Sequence, residues 1–372
     1  MQFEIARQEI LAALTAAVAA TETKGSIPIL SHLLVTHSSQ TVEFTGTDSE
    51  LEVRTCVTVP ASLDDGGYGS IAVPAAKFLD IVKNLPANAD ITFTLKSPTQ
   101  KNSTQVEVKS GKSRFTLSTL SAEDFPSAYE ISEGTTLTLS TQVLKDALAQ
   151  ASYAMAQNDA RYYLNGMLFD LREESVAFVA TDGHRMACVQ LLEPSDEPSS
   201  HILPRNFITQ LQRMLVGDED VELRFDDSHV QVKLGNSIIT SKLIDGKYPD
   251  YLGVIPKTTL KLTCDTASLK TALKQASVLA NEKYRGVRLC LSQNRLIIRS
   301  TNPDQEESEV EIAAEYDGEE MEIGFNVNYL IDALAVISTQ TVEIGFINSN
   351  SSCVMTPFEV EGLQHVIMPM RL

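Results

Sequence analysis

Residues 3–21 read FEIARQEILAALTAAVAAT, residues 137–156 read LTLSTQVLKDALAQASYAMA, and residues 260–280 read LKLTCDTASLKTALKQASVLA. Each is a short alternating segment, then a polar cluster, then apolar residues at helical spacing. The steps between them are 137 − 3 = 134 and 260 − 137 = 123 residues. Periods of that size mark repeated domains rather than solenoid turns. A second helical segment recurs in each third, at 73–86 (VPAAKFLDIVKNLP), 203–215 (LPRNFITQLQRML) and 325–337 (FNVNYLIDALAVI). Pro74 and Pro204 stand at the start of the first two, where a fixed φ is already helical and the missing N–H would be unpaired anyway.

All six helical segments carry a one-sided apolar stripe at i, i+3, i+4 and i+7 spacing. The stripes are Ile10, Ala13, Leu14 and Ala17; Phe78, Ile81, Val82 and Leu85; Leu144, Ala147, Leu148 and Ala151; a weaker Ile208, Leu211 and Leu215; Leu269, Ala272, Leu273 and Ala276; and Leu330, Ala333, Leu334 and Ile337. Between them lie short alternating runs, at 41–46, 114–120, 175–181, 238–244, 295–301 and 363–370, which read as strands, most with one wet face. Each third is thus a strand, a helix and several strands, done twice. The fold class is α+β, three repeated domains with helices on antiparallel sheets. DFPSAY (124–129) and KYPDYL (247–252) close the first two repeats, which places the domains at 1–134, 135–258 and 259–372.

Composition narrows the function classes. The formal net charge is -19, from 49 acidic and 30 basic side chains, so net charge alone attracts neither nucleic acid nor an anionic membrane. A local basic surface remains open. The apolar run at 10–20 follows Glu4, Arg7 and Glu9, without the positive bias of a signal peptide. No stretch reaches the roughly 18 apolar residues of a membrane span. Cys56, Cys188, Cys264, Cys290 and Cys353 are scattered, with no C-x-x-C, which points to a reducing cytoplasm rather than to disulfides or a thiolate zinc site.

The stretch VATDGHRMA (179–187) resembles a catalytic fragment: Asp182 to orient, His184 to accept a proton, Arg185 to hold an anion. No G-x-S-x-G elbow, paired-carboxylate motif, glycine-rich phosphate loop or metal-ligand spacing accompanies it. The corresponding stretches of the other repeats, TGTDSELEV (45–53) and STNPDQEE (300–307), lack the histidine, and the first keeps the acid at the turn. Asp-Gly favours tight turns, so Asp182 and Gly183 read as a turn. A hydrolase-like enzyme centred on His184 and a repeat-built binding protein unrelated to DNA are the alternatives to weigh.

RYYLNGMLF (161–169), ATDGHRMA (180–187), ANEKYRGVRL (280–289), NPDQEE (302–307), MEIGFNVNYL (321–330) and VIMPMRL (366–372) together resemble the bacterial DNA sliding clamp family, the beta subunit of DNA polymerase III, over the whole chain. The resemblance implies a non-catalytic, ring-shaped homodimer joined head to tail. Sheets form its outer wall, and helices line a hole through which duplex DNA passes without sequence-specific contact. It needs no metal or cofactor, and it works in the cytoplasm. Its implied partners are the replicative polymerase, the clamp-loader complex and other proteins that carry a clamp-binding peptide.

The resemblance also assigns residues. Lys24, Asn158, Tyr162 and Tyr163 match positions near DNA, one of the two tyrosines being equally suited to the core. Lys77, Lys83, Lys145, Arg205, Arg213, Lys270 and Lys274 are candidates for a basic lining or for solvated helix charges. Weak, sequence-independent phosphate contacts suit a ring that must slide. A peptide groove is implied at Leu164, Thr181, Gly183, His184, Arg185, Met186, Pro249 and Val254, with Asn326, Tyr329, Val366, Met368, Pro369, Met370 and Arg371 opposite. Methionine and leucine walls adapt to several apolar anchors. Gly253 and Asn350 depart from the family's usual arginine and aliphatic residue there. The ring joint is implied at Lys112, Arg114, Phe115 and Leu117 of one copy, against Val278, Leu279, Glu306 and Glu307 of the other, with Glu309 adding to the acidic run.

Overall fold

The computed structural model describes residues 1–372 apart from 23–24, 60–68, 97–103, 128, 194–196 and 372. The helices are α1 (Arg7–Val18), α2 (Ala75–Asn84), α3 (Thr141–Ala151), α4 (Arg205–Met214), the single turn α5 (Tyr251–Val254), α6 (Thr266–Ser277) and α7 (Val327–Val336). Each stripe residue lies against protein: Leu144, Leu148, Ile208, Leu211, Leu273 and Ala333 are at most 1 % exposed. Pro74 ends a strand and is the N-cap of α2, one residue earlier than the sequence suggested.

Among the described residues there are four antiparallel sheets. The chain forms two compact units, Met1–Thr141 with Thr209–Leu243, and Gln142–Ile208 with Ile244–Leu372. The first unit holds a four-stranded sheet in the order Gln2–Ala6, Asp90–Lys96, Gln105–Ser110, Ser113–Ser118. It also holds an eight-stranded sheet made of two halves. One half runs Gly69–Pro74, His32–Ser38, Thr41–Thr47, Leu51–Thr58; the other runs Thr135–Ser140, Asp220–Phe225, His229–Leu234, Ser237–Lys242. The halves meet where Leu51–Thr58 pairs Ser237–Lys242, with Val53 opposite Ile239.

The second unit repeats this plan. Its eight-stranded sheet joins a half ending in Arg185–Leu191 to a half ending in Leu363–Ile367, with Met186 opposite Val366. Its four-stranded sheet ends at Glu307–Ala313. Each third of the chain therefore supplies two four-stranded sets, and the last strand of four of the six joins a set from a neighbouring third. Leu51–Thr58, Arg185–Leu191 and Glu307–Ala313 are equivalent by order, as are Ser113–Ser118, Ser237–Lys242 and Leu363–Ile367. Every join within the chain pairs one of the first set with one of the second.

The cores follow the stripes. In the first unit Phe3, Phe44, Phe78 and Phe93 pack under α1 and α2, Phe3 on Phe93 with ring centroids 4.8 Å apart. In the second, α6 and α7 bury Leu269, Leu273, Leu330 and Leu334 on Leu289, Ile298, Phe325 and Ile344. Full burial of each such side chain contributes roughly 1.5–3 kcal/mol. None of the five cysteines is in a disulfide.

Candidate functional site

The turn Thr181–Arg185 joins two strands of the second unit, and its shape comes from its own side chains. Asp182 Oδ1 accepts the backbone N–H groups of His184 (2.9 Å) and Arg185 (3.0 Å). Thr181 Oγ1 donates to the Arg185 carbonyl at 2.7 Å and accepts from Gly183 N at 3.1 Å. Gly183 has φ +86, a left-handed conformation that favours glycine, and a Cβ there would also press on the end of the Arg161 side chain. The first repeat builds the same turn from Thr47 and Asp48. Asp48 Oδ1 accepts from Glu50 N (2.9 Å) and Leu51 N (2.7 Å), and Thr47 Oγ1 donates to the Leu51 carbonyl (2.9 Å). In the third, Asn302 Oδ1 accepts from Asp304 N (3.1 Å) and Glu306 N (3.0 Å). The turn is thus a device of the repeat, and His184 is what the second copy adds to it.

Asp182 spends its carboxylate on backbone N–H groups and on Arg185 Nε (3.1 Å), not on the His184 ring. The catalytic reading fails on that geometry. His184 is exposed, and its ring lies 6.3 Å from that of Tyr329, nearly parallel.

Arg185 is a strut rather than a free cation. Its side chain is 13 % exposed and pairs with Asp182 and, at 2.5 Å, with Asp332 of α7. It donates to the Tyr153 carbonyl at 3.2 Å. Its guanidinium lies over the rings of Tyr329 (4.7 Å to the centroid) and Tyr153 (5.2 Å), a cation–π contact to each.

The C-terminal segment runs alongside. Arg185 stands opposite Ile367, and Met368 N donates to the His184 carbonyl at 2.9 Å. Met370 N donates to the Gly324 carbonyl at 2.8 Å, which carries the tail past Asn326 at the start of α7. Asn326 Oδ1 caps that helix by accepting from Asn328 N (2.9 Å). Segment 248–255 is pinned by two tyrosines. Tyr248 Oη donates to the Val179 carbonyl (3.3 Å) and accepts from Thr181 N (3.1 Å), while Tyr251 Oη donates to Asp170 (2.8 Å). Burial pushes both hydroxyls' pKa values up, and in Tyr251 the Asp170 bond adds to it.

Fifteen sequence-assigned groove positions therefore divide by depth. Leu164, Met186 and Val366 are at most 3 % exposed and share a core with Tyr248 and Tyr251, so they are floor and packing rather than open wall. Pro249, Val254, Met368, His184, Gly183 and Arg371 are exposed, and Leu252, at 51 %, joins them although the sequence reading passed over it. Thr181, Arg185, Asn326, Tyr329, Pro369 and Met370 are half-buried. Tyr153, Tyr248, Asp332 and His365 also escaped that reading. Nothing in their local sequence marks them, because their partners lie tens to hundreds of residues away.

The other assignments place as follows. Lys24 lies outside the described residues. Asn158 is exposed at φ +56, Tyr162 is 59 % exposed, and Tyr163 is the tyrosine that packs on the core. Lys77, Lys83, Lys145, Arg213 and Lys274 are exposed on their helices, and Lys270 is half-buried. Arg205 donates to the carbonyls of Met155 (3.0 Å) and Ala156 (3.3 Å), a structural use. Lys112, Arg114, Phe115, Val278, Glu306 and Glu307 are exposed, and Leu279 is half-buried. Leu117 is 8 % exposed within the first unit's core, while Phe115, two residues earlier on the same face of the strand, is 36 % exposed. Among the described residues no helix is long and apolar enough to cross a membrane, and no group of His, Cys, Asp and Glu side chains is gathered to hold a metal.

Three family models match the chain in succession: the N-terminal domain of the DNA polymerase III beta subunit over residues 1–130, its central domain over 138–250 and its C-terminal domain over 253–371. The chain is 40 % identical to a beta sliding clamp of Pseudomonas putida, all of both chains being covered. It is 38 % identical to that of Escherichia coli K12, again with full coverage of both. The crystal structure of the DNA polymerase III subunit beta from Pseudomonas aeruginosa superposes with a TM-score of 0.93 at 39 % identity over all of both chains.

Proposed function

The chain belongs to the beta sliding clamp family, the DNA polymerase III beta subunit, and from that premise we propose how it closes a ring and takes its partners. Its function is that of the family: a non-catalytic clamp on DNA that gives the polymerase processivity. Two copies join head to tail around duplex DNA. A short partner peptide docks on the surface between the Thr181–Arg185 turn, segment 248–255 and the tail Val366–Arg371.

One observation carries the ring: the four-stranded sets have two kinds of last strand, and each kind has one member left over. Leu51–Thr58 takes Ser237–Lys242, and Arg185–Leu191 takes Leu363–Ile367, which leaves Glu307–Ala313 and Ser113–Ser118. By the rule of the other joins, these two want each other. Two copies satisfy both edges through two identical, heterologous contacts, which close a ring. An unpaired edge also invites uncontrolled pairing, which closure removes. The charges suit the match, with Lys112 and Arg114 at one edge and Glu306, Glu307 and Glu309 at the other. Exposed Phe115 and Val278 supply apolar contact.

The docking surface has a polar post, His184, bonded through its carbonyl to Met368, and the apolar Leu252, Val254 and Met368 are each about half exposed. Domains 1–134, 135–258 and 259–372, assembly by a clamp-loader complex and action in the cytoplasm complete the proposal. Solution mass tests the ring: the dimer is the expected species, and a monomer at micromolar concentration overturns it. Deleting residues 368–372 tests the docking surface. The expected result is loss of peptide and polymerase binding with the dimer intact; unchanged affinity removes the assignment.

A further inference from the structure

We propose that Tyr153, acting with His365, is a positioning residue of the docking surface, an inference that rests on the docking reading above. Tyr153 lies in the short 3-10 turn Ser152–Ala154 after α3 and holds two walls of the surface at once. Its hydroxyl bonds His365 Nδ1 at 2.9 Å, on the strand that leads into the tail. Its carbonyl accepts from Arg185, and its ring underlies the Arg185 guanidinium, at the end of the docking turn. Arg185 in turn grips Asp332 and Tyr329 on α7.

His365 stands opposite Ala187 on one side and Met355 on the other, with no exposure at all. Its Nε2 has no partner among the described residues. Such a ring costs stability in a strand where any aliphatic residue would pack. The return on that cost is direction. Backbone pairing alone sets the strand register between turn and tail, but it leaves their splay to side-chain packing. The Tyr153 bond fixes how far the tail strand stands from the arginine that holds the turn. A buried polar tie of this kind specifies geometry more than it adds stability.

Stability and positioning are separable with two variants and a fluorescein-labelled pentapeptide that has glutamine first and leucine and phenylalanine last. Tyr153→Phe keeps the ring under Arg185 and removes only the tie. It is expected to lower the unfolding midpoint and to weaken the peptide about fivefold, the scale of one lost buried hydrogen bond. Tyr153→Phe with His365→Phe leaves no orphaned polar atom, so the midpoint recovers. Affinity stays weak in this pair, because the tie is still absent. Affinity that returns with the midpoint, or a Tyr153→Phe chain that binds like the unaltered one, overturns the positioning role. If deletion of 368–372 abolishes binding while Tyr153→Phe does not alter it, only the positioning role falls. If the unaltered chain fails to bind the peptide, the docking reading falls and takes this inference with it.

Discussion

Asp182 does more for the docking surface than its position suggests. It organises two backbone N–H groups and one face of Arg185, so Asp182→Ala orphans donors at the base of His184. We expect a loss of about 1–2 kcal/mol in urea unfolding, the scale of a lost cap, and weaker peptide binding. His184→Ala removes the post alone; it is expected to weaken the peptide and leave the urea midpoint unchanged. His365 gives the surface a pH signature. Burial lowers its pKa to about 4, below the ordinary 6.5. Between those values the unfolded chain holds more protons than the folded one, so this contribution is complete above pH 6.5 and is lost as pH falls towards 4. Relative to His365→Phe, the unaltered chain should lose up to about 3 kcal/mol over that interval. Parallel pH profiles for the two proteins would contradict a neutral, buried His365. At this scale the sequence revealed the turn, because Asp-Gly acts on its own neighbours. It did not reveal that Arg185 is held inside the protein, since two of its partners stand at 153 and 332.

At the scale of elements, the helices were legible because a stripe at i, i+3, i+4 and i+7 needs only its own segment to be recognised. The strands were legible as strands for the same reason. Alternation shows which face of a strand is dry, but not which edge meets which. The two eight-stranded sheets that run across repeat boundaries were therefore invisible in the sequence. The joining rule makes the free edges testable. Arg114 and Phe115 are exposed on the edge strand Ser113–Ser118, whose core residue is Leu117, so Arg114→Glu and Phe115→Asp leave that core contact in place. Each is expected to raise the dimer dissociation constant tenfold or more, about 1.4 kcal/mol or above, while the chain stays folded with an unchanged heat-absorption profile. Sedimentation at several concentrations reads the first effect and calorimetry the second. An unchanged dimer in both variants would remove Ser113–Ser118 from the joint.

For the whole molecule, the acidic total of -19 and a DNA-encircling role are compatible because retention comes from topology, not from affinity. Lys77, Lys83, Lys145, Arg213 and Lys274 stand exposed on helices, and on the proposed reading they meet phosphates through weak, salt-screened contacts. Replacing them with glutamine together should slow loading and leave retention on closed DNA nearly intact, as a filter-retention time course would show. A protein held by affinity would instead lose retention in proportion to the charge removed. The most direct measurement places the protein on a nicked circular duplex with a clamp-loader ATPase, removes the loader, and then cuts the circle. The account expects protein that stays on the circle through a high-salt wash and leaves within minutes of linearisation. Equal retention on circular and linear DNA would contradict it.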